Sequence, residues 1–457
     1  MDATKRIAEY INTTSVEDFP PDAVEAAKGA IVDCIGCALA GSSEPLAEVL
    51  TDYVKSIGGN PTASVIGRGF KTSSPEAALI NGAMGHALDY DDITRAMKGH
   101  PSVVLLPAAL ALAEEVGTTG RELLLAYMLG FEVACSVGDS VSAAYYDDLG
   151  WHPTGPLGAV GAAAAACSIL KLDQDHLAMA ISLAASQAAG LRQNFGTMTK
   201  PYHAGASCRA GVTSAKLVKA GFTASQDAIE GRFGFLRAFS GGAGYDENQV
   251  METLGQKCYL VDSGVEIKKY PCCGSAHLAL DAAYRLLERE TINAEEVESI
   301  QVQVDFDPPR SLIHARPTAG LEGKFSMQYC LAAALLDQKV GLDTFSDHQV
   351  QRPEAQTLIP KVEMRRIAGY EGRPSWVEAY NEVEIHMQDG RVLSERADRV
   401  TQGALRGVSM QEIQIKFQDC ASRALSATAT HELMGLLDNL ENTDGIGRMT
   451  DLLRGES

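Results

Sequence analysis

Apolar residues recur at three- and four-residue spacing from Pro21 to about Leu260, the spacing of one face of an α-helix. Glycine and proline residues interrupt this pattern and divide it into separate helical segments. Several of the segments are apolar on more than one face, which is typical of central helices in a large all-α domain. The predicted helices span residues 24–40, 75–87, 103–116, 122–141 and 176–191.

The pattern changes near Val265, and several segments beyond it alternate polar and apolar positions with the period of a half-buried β-strand. A turn at Gln388-Asp389-Gly390 predicts a hairpin, because glycine accepts a positive φ without steric cost. The sequence therefore predicts a small α+β unit in this region. Its strands are predicted at residues 299–306, 361–367, 383–387 and 391–393, and its helices at 277–289 and 326–336.

After about Arg396 the pattern is helical again, over residues 410–424 and 431–440. We infer that this tail packs back on the first domain, so that the α+β unit is an insertion. The predicted fold is mainly α, with a large all-helical domain formed by both ends of the chain and an inserted smaller α+β domain. The predicted segments are 1–264 and 397–457 for the helical domain and 265–396 for the insertion.

Length and charge narrow the class of protein. A chain of 457 residues is too long for one ordinary core, which also predicts two domains. With 46% hydrophobic and 21% charged residues the composition is that of a globular protein. The net charge of −20 and the lack of any long run of Lys and Arg argue against a nucleic-acid or anionic-membrane partner. An anionic substrate would need a local basic pocket.

The chain shows no sign of export or membrane insertion, so we predict a cytoplasmic protein. Its first residues lack the apolar core of a secretory signal. Residues 151–170 carry no charged side chain, but Ala, Gly and Pro dominate them, and we interpret them as a loop leading into a buried helix. Cys34 and Cys37 lie in an apolar helical pattern, which favours buried structural thiols over a metal or redox site.

The first segment with candidate functional residues is Gly85-His86-Ala87-Leu88-Asp89-Tyr90-Asp91-Asp92, and Gly99-His100-Pro101 follows it. Three aspartates in four residues could bind a hard cation, but the turn glycines of a calcium loop are missing. The preferred interpretation is that an aspartate orients a histidine. His100 precedes an apolar helix, and the N-terminal end of a helix is a favourable place for a bound anion or a catalytic imidazole.

Further candidates lie in four later segments. His152, in Trp151-His152-Pro153, opens another apolar helix and is either a structural residue or an acid/base group. Lys200 lies in a predicted loop of small residues, where its ammonium group can reach a carboxylate, or it is a surface lysine. Lys268 falls where the pattern changes between domains, and Tyr329 is either a phenolic donor or a packed helix residue.

The stretches GHALDYDD, GWHPTGPLG, NFGTMTKPYHAG and KKYPCC occur in the order and spacing of the MmgE/PrpD family, which the chain resembles over nearly its whole length. Members of that family dehydrate 2-methylcitrate, decarboxylate cis-aconitate or epimerise iminodisuccinate. The resemblance implies that the α+β domain is a lid, that a cleft lies between the domains, and that the protein is a homodimer without metal or organic cofactor.

The resemblance also implies a pocket. Catalytic roles fall on His100, His152, Asp89 and Tyr329, with Asp89 holding one imidazole, and substrate binding falls on Lys200, Lys268, His203 and Cys273. Ile93 and Cys273 depart from the decarboxylase pattern, where a Thr and a His stand. These two less polar residues favour a substrate that makes one polar contact fewer than cis-aconitate.

The preferred function is a cofactor-independent lyase, of dehydratase or decarboxylase type, that abstracts a proton next to a carboxylate of a small di- or tricarboxylate. A citrate- or aconitate-like acid is the expected substrate. The second hypothesis is an epimerase or isomerase of an amino- or imino-dicarboxylate. A non-catalytic helical binding protein is the third, and the full set of pocket residues argues against it.

Overall fold

The computed structural model describes residues 2–370 and 380–455, which group into two units. The first unit comprises the residues up to Gln193, then Thr199–Ile267, and those from Gln402 onward. The second comprises Asn194–Met198 and Lys268–Thr401. Both ends of the chain therefore build one unit, as predicted. The inclusion of Asn194–Met198 in the second unit was not predicted.

Helices make up most of the first unit, in agreement with the mainly α prediction. The main discrepancy is the helix predicted at 176–191, which ends at Ala185; the predicted remainder contains Gly190, whose φ of 145° is incompatible with a helix. The helices before the insertion are α1 (Ala3–Thr13), α2 (Pro21–Gly41), α3 (Pro45–Ile57), α4 (Ser74–Ala87), α5 (Ser102–Val116), α6 (Gly120–Ser140), α7 (Ala144–Asp147), α8 (Pro156–Leu170), α9 (Gln174–Ala185), α10 (Thr199–Lys219), α11 (Phe235–Phe239), α12 (Gln249–Thr253) and α13 (Tyr259–Asp262).

The core helices of this unit are apolar on all sides and buried. As predicted, residues 151–170 are a loop followed by a buried helix, α8. Helix α6 is long and apolar enough to cross a membrane, but 89% of its most apolar window is buried within the fold, as expected of a core helix. Cys34 and Cys37 are buried in α2, which confirms the predicted burial of these thiols.

Helices α4 and α10 cross closely because glycines line their contact. A Cβ atom on Gly205 of α10 would lie 2.0 Å from the carbonyl oxygen of Leu79 in α4. A Cβ atom on Gly82 of α4 would lie 2.6 Å from Sγ of Cys208 in α10. Any larger side chain at these positions would force the helices apart.

The first unit is not entirely helical, which corrects one detail of the prediction. Strands β1 (Ala63–Ser64) and β2 (Lys71–Thr72) pair antiparallel in a short ribbon. The carboxylate of Glu114, in α5, accepts hydrogen bonds from the backbone N–H and the hydroxyl of Ser64. Two-residue strands are too short to produce a recognisable alternation in the sequence.

The second unit is the predicted α+β unit. Its sheet has the order β4-β3-β5-β6, in which β3 pairs parallel with β4 and the other pairs are antiparallel. Gly390, with a φ of 87°, closes the predicted hairpin between β5 and β6. The elements are α14 (His277–Arg289), β3 (Val297–Val304), α15 (Gly320–Gly323), α16 (Met327–Asp337), α17 (Asp347–Gln351), α18 (Pro353–Leu358), β4 (Val362–Arg366), β5 (Tyr380–Met387) and β6 (Val392–Asp398).

Alternating side chains of the central strands form the core of this second unit. Ile300 and Val302 of β3 and Val383 and Ile385 of β5 are buried, as the period of two predicts. Helix α14 packs on β5 and β6, and α16 packs next to β4. One face of the sheet is therefore covered by helices, and the other carries the polar positions.

The C-terminal return consists of α19 (Met410–Ala421), α20 (Ala427–Asp438) and α21 (Gly447–Arg454). Lys416 of α19 anchors it, because its ammonium group lies 2.7 Å from the carboxylate of Asp33 in α2. The same group donates to the carbonyl oxygen of Tyr90, at 2.7 Å. Burial acts to lower the pKa of Lys416, but Asp33 and other neighbouring groups together outweigh it and raise that pKa above its usual value.

Replacing Lys416 with Met should destabilise the first unit by about 3–5 kcal/mol, because it removes the cation that faces the buried carboxylate of Asp33. Urea-induced unfolding monitored by circular dichroism measures this loss. As a control, Arg448→Met removes an exposed ion pair with Glu432 and should leave the midpoint unchanged. Equal midpoints for Lys416→Met and the wild type would contradict the anchoring role.

Candidate active site

The C-terminal end of α4 leads His86 into a turn that contains three aspartates. Asp89 has a φ of 51°, a left-handed conformation that aspartate tolerates better than most residues. This conformation ends the helix and turns the chain towards Asp91 and Asp92, and all three aspartates are buried. Since buried carboxylates need compensating partners, the turn defines a polar site inside the first unit.

Lys200 provides the positive charge of this site. The predicted loop position is wrong, because Lys200 lies in the first turn of α10, and the alternative of a surface lysine is wrong because the residue is buried. Its Nζ lies 2.5 Å from Oδ1 of Asp89 and 2.9 Å from Nε2 of His86. These two groups compensate for the desolvation of the ammonium group.

Asp91 lies between two imidazoles. Both of its carboxylate oxygens are 2.9 Å from Nδ1 of His86, and Oδ2 is 3.0 Å from Nδ1 of His100. Burial acts to raise the pKa of Asp91, but the contacts with His86 and His100 outweigh it and hold that pKa well below its usual range. The prediction that an aspartate orients a histidine therefore has a geometric basis, although Asp89 is farther from His100, at 3.8 Å from Nε2.

His152 joins the same cluster from the loop before α8. Its ring centroid is 5.7 Å from that of His86 and 6.3 Å from that of His100. Its Nδ1 lies 3.1 Å from Nδ1 of His203, in α10, so one of these two nitrogens donates to the other. The structure thus brings Asp89, His100, His152, Lys200 and His203 together in the first unit.

The imidazoles of His86, His152 and His203 are neutral near pH 7. Burial lowers the pKa of His86 to about 3, although the charge of Asp91 opposes this effect. Burial and the positive charge of Lys200 lower the pKa of His152 well below its usual value and that of His203 to about 4. Neutral imidazoles can accept or relay a proton without first losing one.

Asp92 differs from Asp91 because it carries a proton at neutral pH. Burial raises its pKa to about 8, against the opposing effect of its hydrogen bonds with Ser102. Its Oδ2 lies 2.6 Å from Oγ of Ser102, which in turn lies 2.8 Å from the hydroxyl of Tyr127. Its Oδ1 accepts the backbone N–H of Ser102, at the N-terminal end of α5. Asp92 therefore fixes the start of that helix.

The cluster contains sets of atoms that could bind a metal ion. Among the described residues, potential ligand atoms of His86, His100 and His152 lie within 4.8 Å of one another, as do those of His86, Asp89, Asp91 and His100. However, the ammonium group of Lys200 already contacts both Asp89 and His86. This internal cation takes the role that a metal would have between these two side chains, so a metal-free site stays the prediction.

The remaining predicted site residues belong to the second unit. Lys268 is buried near the start of that unit. Cys273 is buried, its thiol lies 3.5 Å from Oγ of Ser311, and its N–H donates to the carbonyl of Lys324. The hydroxyl of Tyr329, in α16, donates to the carbonyl oxygen of Thr344 at 2.6 Å. Proton donation by Tyr329 to a substrate would therefore require the loss of this bond.

Sequence reasoning missed two residues of the cluster, His86 and Asp91. Both stand in the GHALDYDD segment that the sequence had singled out, but spacing alone does not show which aspartate faces which imidazole. The signal for His86 was its position at the end of an apolar helix, directly before the aspartates.

Ile93, a predicted pocket residue, forms an antiparallel bridge with Glu266 through its backbone.

Comparison with known proteins places the chain in a family. The sequence model of the MmgE/PrpD N-terminal domain matches residues 5–248, and that of the MmgE/PrpD C-terminal domain matches residues 270–442. The chain therefore belongs to the MmgE/PrpD family, as its motifs predict.

Three relatives are named cis-aconitate decarboxylase. The protein from Homo sapiens is 27% identical over 466 residues, which cover 99% of this chain and 95% of the relative. That from Mus musculus is 27% identical over 467 residues, covering 99% and 94%. That from Aspergillus terreus is 28% identical over 471 residues, covering 98% and 95%. The similarity thus extends over both units.

Replacing Asp92 with Asn should change the pH dependence of stability. Asp92 has a pKa of about 8 in the folded protein and about 4 when unfolded, so the folded state binds the extra proton between these values. The wild type therefore loses free energy of unfolding as the pH rises through this window, whereas Asp92→Asn does not. The stability of Asp92→Asn relative to the wild type should rise by about 1.4 kcal/mol per pH unit and level off above pH 8.

Urea-induced unfolding of both proteins at intervals from pH 5 to pH 9 tests this expectation. The difference between the two free energies of unfolding is the relevant quantity, because other titrating groups contribute equally to both proteins. A difference that stays constant over the whole range would show that Asp92 is ionised in the folded protein.

Proposed function

We propose that the protein is a cofactor-independent lyase, of dehydratase or decarboxylase type, that acts on a small di- or tricarboxylate such as a citrate- or aconitate-like acid. The observation that carries this proposal is the buried cluster in which Lys200 and Asp89 lie next to imidazoles that contact Asp91. Membership of the MmgE/PrpD family and three relatives named cis-aconitate decarboxylase support the same reaction class.

In the proposed reaction His100 is the general base. Its Nδ1 lies 3.0 Å from the carboxylate of Asp91 and 3.0 Å from the carbonyl oxygen of Asp92, so Nδ1 carries the proton and Nε2 the lone pair. When Nε2 removes a proton next to a substrate carboxylate, the negative charge of Asp91 stabilises the imidazolium that forms. His152 is assigned the return of a proton. Because burial and Lys200 keep its resting ring neutral, it takes up a proton at one ring nitrogen as it donates one from the other.

Lys200 is assigned to a substrate carboxylate, together with Lys268 of the second unit. A proton or CO2 that leaves next to a carboxylate produces a carbanion or dienolate, and an ammonium group in a buried site stabilises that charge. These lysines also offset the overall charge of −20, which otherwise repels an anionic substrate. In a dehydration, Tyr329 or His152 protonates the departing hydroxyl group. In a decarboxylation, the same donor protonates the carbanion.

The remaining assignments concern specificity. His203, which contacts His152, and Cys273 are assigned to substrate binding. Ile93 and Cys273 are less polar than the Thr and His of the decarboxylase pattern, which favours a substrate with one polar contact fewer than cis-aconitate. A homodimer, a cytoplasmic location and independence of metals and cofactors are also part of the proposal.

Epimerisation of an amino- or imino-dicarboxylate is the second candidate function. Two imidazoles whose centroids are 6.3 Å apart, those of His100 and His152, could remove a proton from one side of a carbon atom and return one to the other. This arrangement differs from that of a lyase only in the fate of the carbanion, which is reprotonated and loses no group.

Proton NMR in D2O with citrate, 2-methylcitrate, cis-aconitate, malate, aspartate and iminodisuccinate distinguishes the two candidates. A new olefinic signal or the loss of a carboxylate supports the lyase and identifies the acid. Deuterium uptake without a change of connectivity supports the epimerase. An absence of any reaction across the panel would contradict both.

Replacing His100 or Lys200 with Ala should lower the rate at least about a hundredfold, because the base or the main stabilising charge is lost. Two matched controls should keep nearly full activity: His176→Ala, which removes a half-buried imidazole on α9, and Lys219→Ala, which removes an exposed lysine at the end of α10. Circular dichroism verifies that each variant is folded. Nearly full activity of both His100→Ala and Lys200→Ala would refute the assignment.

A further inference from the structure

We infer that Asp91 and His86 are positioning residues of this site: Asp91 fixes the tautomers of His86 and His100, and His86 fixes the ammonium group of Lys200. The inference rests on the proposed function, since it concerns the same proton-transfer site. It adds two residues to those that the family motifs had suggested, and it gives each a separate role that a separate variant can test.

The tautomers follow from the contacts of Asp91. A carboxylate without a proton can only accept hydrogen bonds, and Nδ1 of His86 and Nδ1 of His100 both lie within 3.0 Å of its oxygens. Each Nδ1 must therefore carry a proton, which leaves the lone pair of each ring on Nε2. The pKa of Asp91, which its imidazole neighbours hold well below the usual range, agrees with an ionised carboxylate.

The orientation of Lys200 follows from the tautomer of His86. Because Nε2 of His86 carries the lone pair, it accepts a hydrogen bond from Nζ of Lys200 at 2.9 Å. Asp89 accepts a second one at 2.5 Å. Two of the three N–H directions of the ammonium group are thereby fixed, so the position of its charge relative to His100 is set before a substrate arrives.

Both residues act through others and not on the substrate. Asp91 is 0% exposed and His86 is 1% exposed, and both ring nitrogens of His86 have protein partners. A chain of contacts therefore runs from Lys200 through His86 and Asp91 to His100. It connects the group assigned to the substrate carboxylate with the proposed base.

Asp92 provides a matched control for Asp91. It is the next residue, it is equally buried, and its side chain contacts Ser102 and no imidazole among the contacts described above. Since burial raises its pKa to about 8, it is protonated at neutral pH, and Asn can replace it with the same pattern of donor and acceptor. Asp91→Asn instead places an NH2 group where two imidazole N–H groups donate.

The first experiment measures kcat and KM of Asp91→Asn and Asp92→Asn with the acid that the NMR panel identifies. Asp91→Asn should lower kcat on the order of a hundredfold, because the base has the wrong tautomer, and raise KM about tenfold, because His86 no longer accepts from Lys200. Asp92→Asn should stay within about threefold of the wild type in both constants. Equal kcat values for Asp91→Asn and the wild type would overturn the role of Asp91.

Two replacements of His86 separate its contacts. In Asn the amide nitrogen lies near the position of Nδ1, so His86→Asn can donate to Asp91 but cannot accept from Lys200. In Gln the amide oxygen can reach the position of Nε2, so His86→Gln retains the acceptor for Lys200 and loses the donor to Asp91. We expect His86→Asn to raise KM about tenfold, and His86→Gln to lower kcat more than it raises KM. The same change of both constants in the two variants would overturn the role of His86.

Histidine tautomers provide a readout that does not depend on the reaction. In protein labelled with 15N-histidine, the chemical shifts of His86 and His100 should show a proton on Nδ1 in the wild type and in Asp92→Asn, and a change of tautomer in Asp91→Asn. If the wild type is inactive with every acid, the proposed function fails while this test still decides the positioning roles. Unchanged tautomers in Asp91→Asn would refute the inference even in an active enzyme.

Discussion

The buried ammonium group of Lys200 is the interaction on which the candidate site depends. It is a positive charge in the interior of a helical unit, and Asp89 and His86 stabilise it there by accepting its hydrogen bonds. Each of these partners is constrained in turn. Asp89 adopts a left-handed backbone conformation at the end of α4, and His86 is held by Asp91. One buried cation thus connects the backbone of a turn, two carboxylates and an imidazole.

The helical framework explains why these groups meet. Lys200 and His86 lie on α10 and α4, and the glycines at positions 205 and 82 allow these helices to approach closely. The distance between the cation and the imidazole is therefore set by the contact of two long helices, and it does not depend on a mobile loop. Lys416 also stabilises the turn that follows α4, because it donates a hydrogen bond to the carbonyl oxygen of Tyr90.

The sequence predicted the fold class well because helical and strand periods are directly visible in it, as at residues 24–40 and 299–306. It also placed His100, His152 and Lys200 among the important residues. It did not predict that Lys200 begins a helix, nor that Asp91 is the carboxylate closest to His100, because such facts depend on the crossing of distant helices. The ribbon of Ala63–Ser64 with Lys71–Thr72 was missed because its strands are too short to show a period.

The contact between Lys416 and Tyr90 also determines when the turn after α4 can be completed during synthesis of the chain. Tyr90 and Lys416 are 326 positions apart, so at about 5–20 residues per second the ribosome adds Lys416 roughly 15–65 s after Tyr90. His86 and Asp89 have already been made by then, and the other histidines and aspartates of the cluster, Lys200 and the second unit are all added before Lys416. The turn gains its last contact only when α19 has been made, so a nascent chain holds every acid and base of the cluster before it holds the geometry of the finished site.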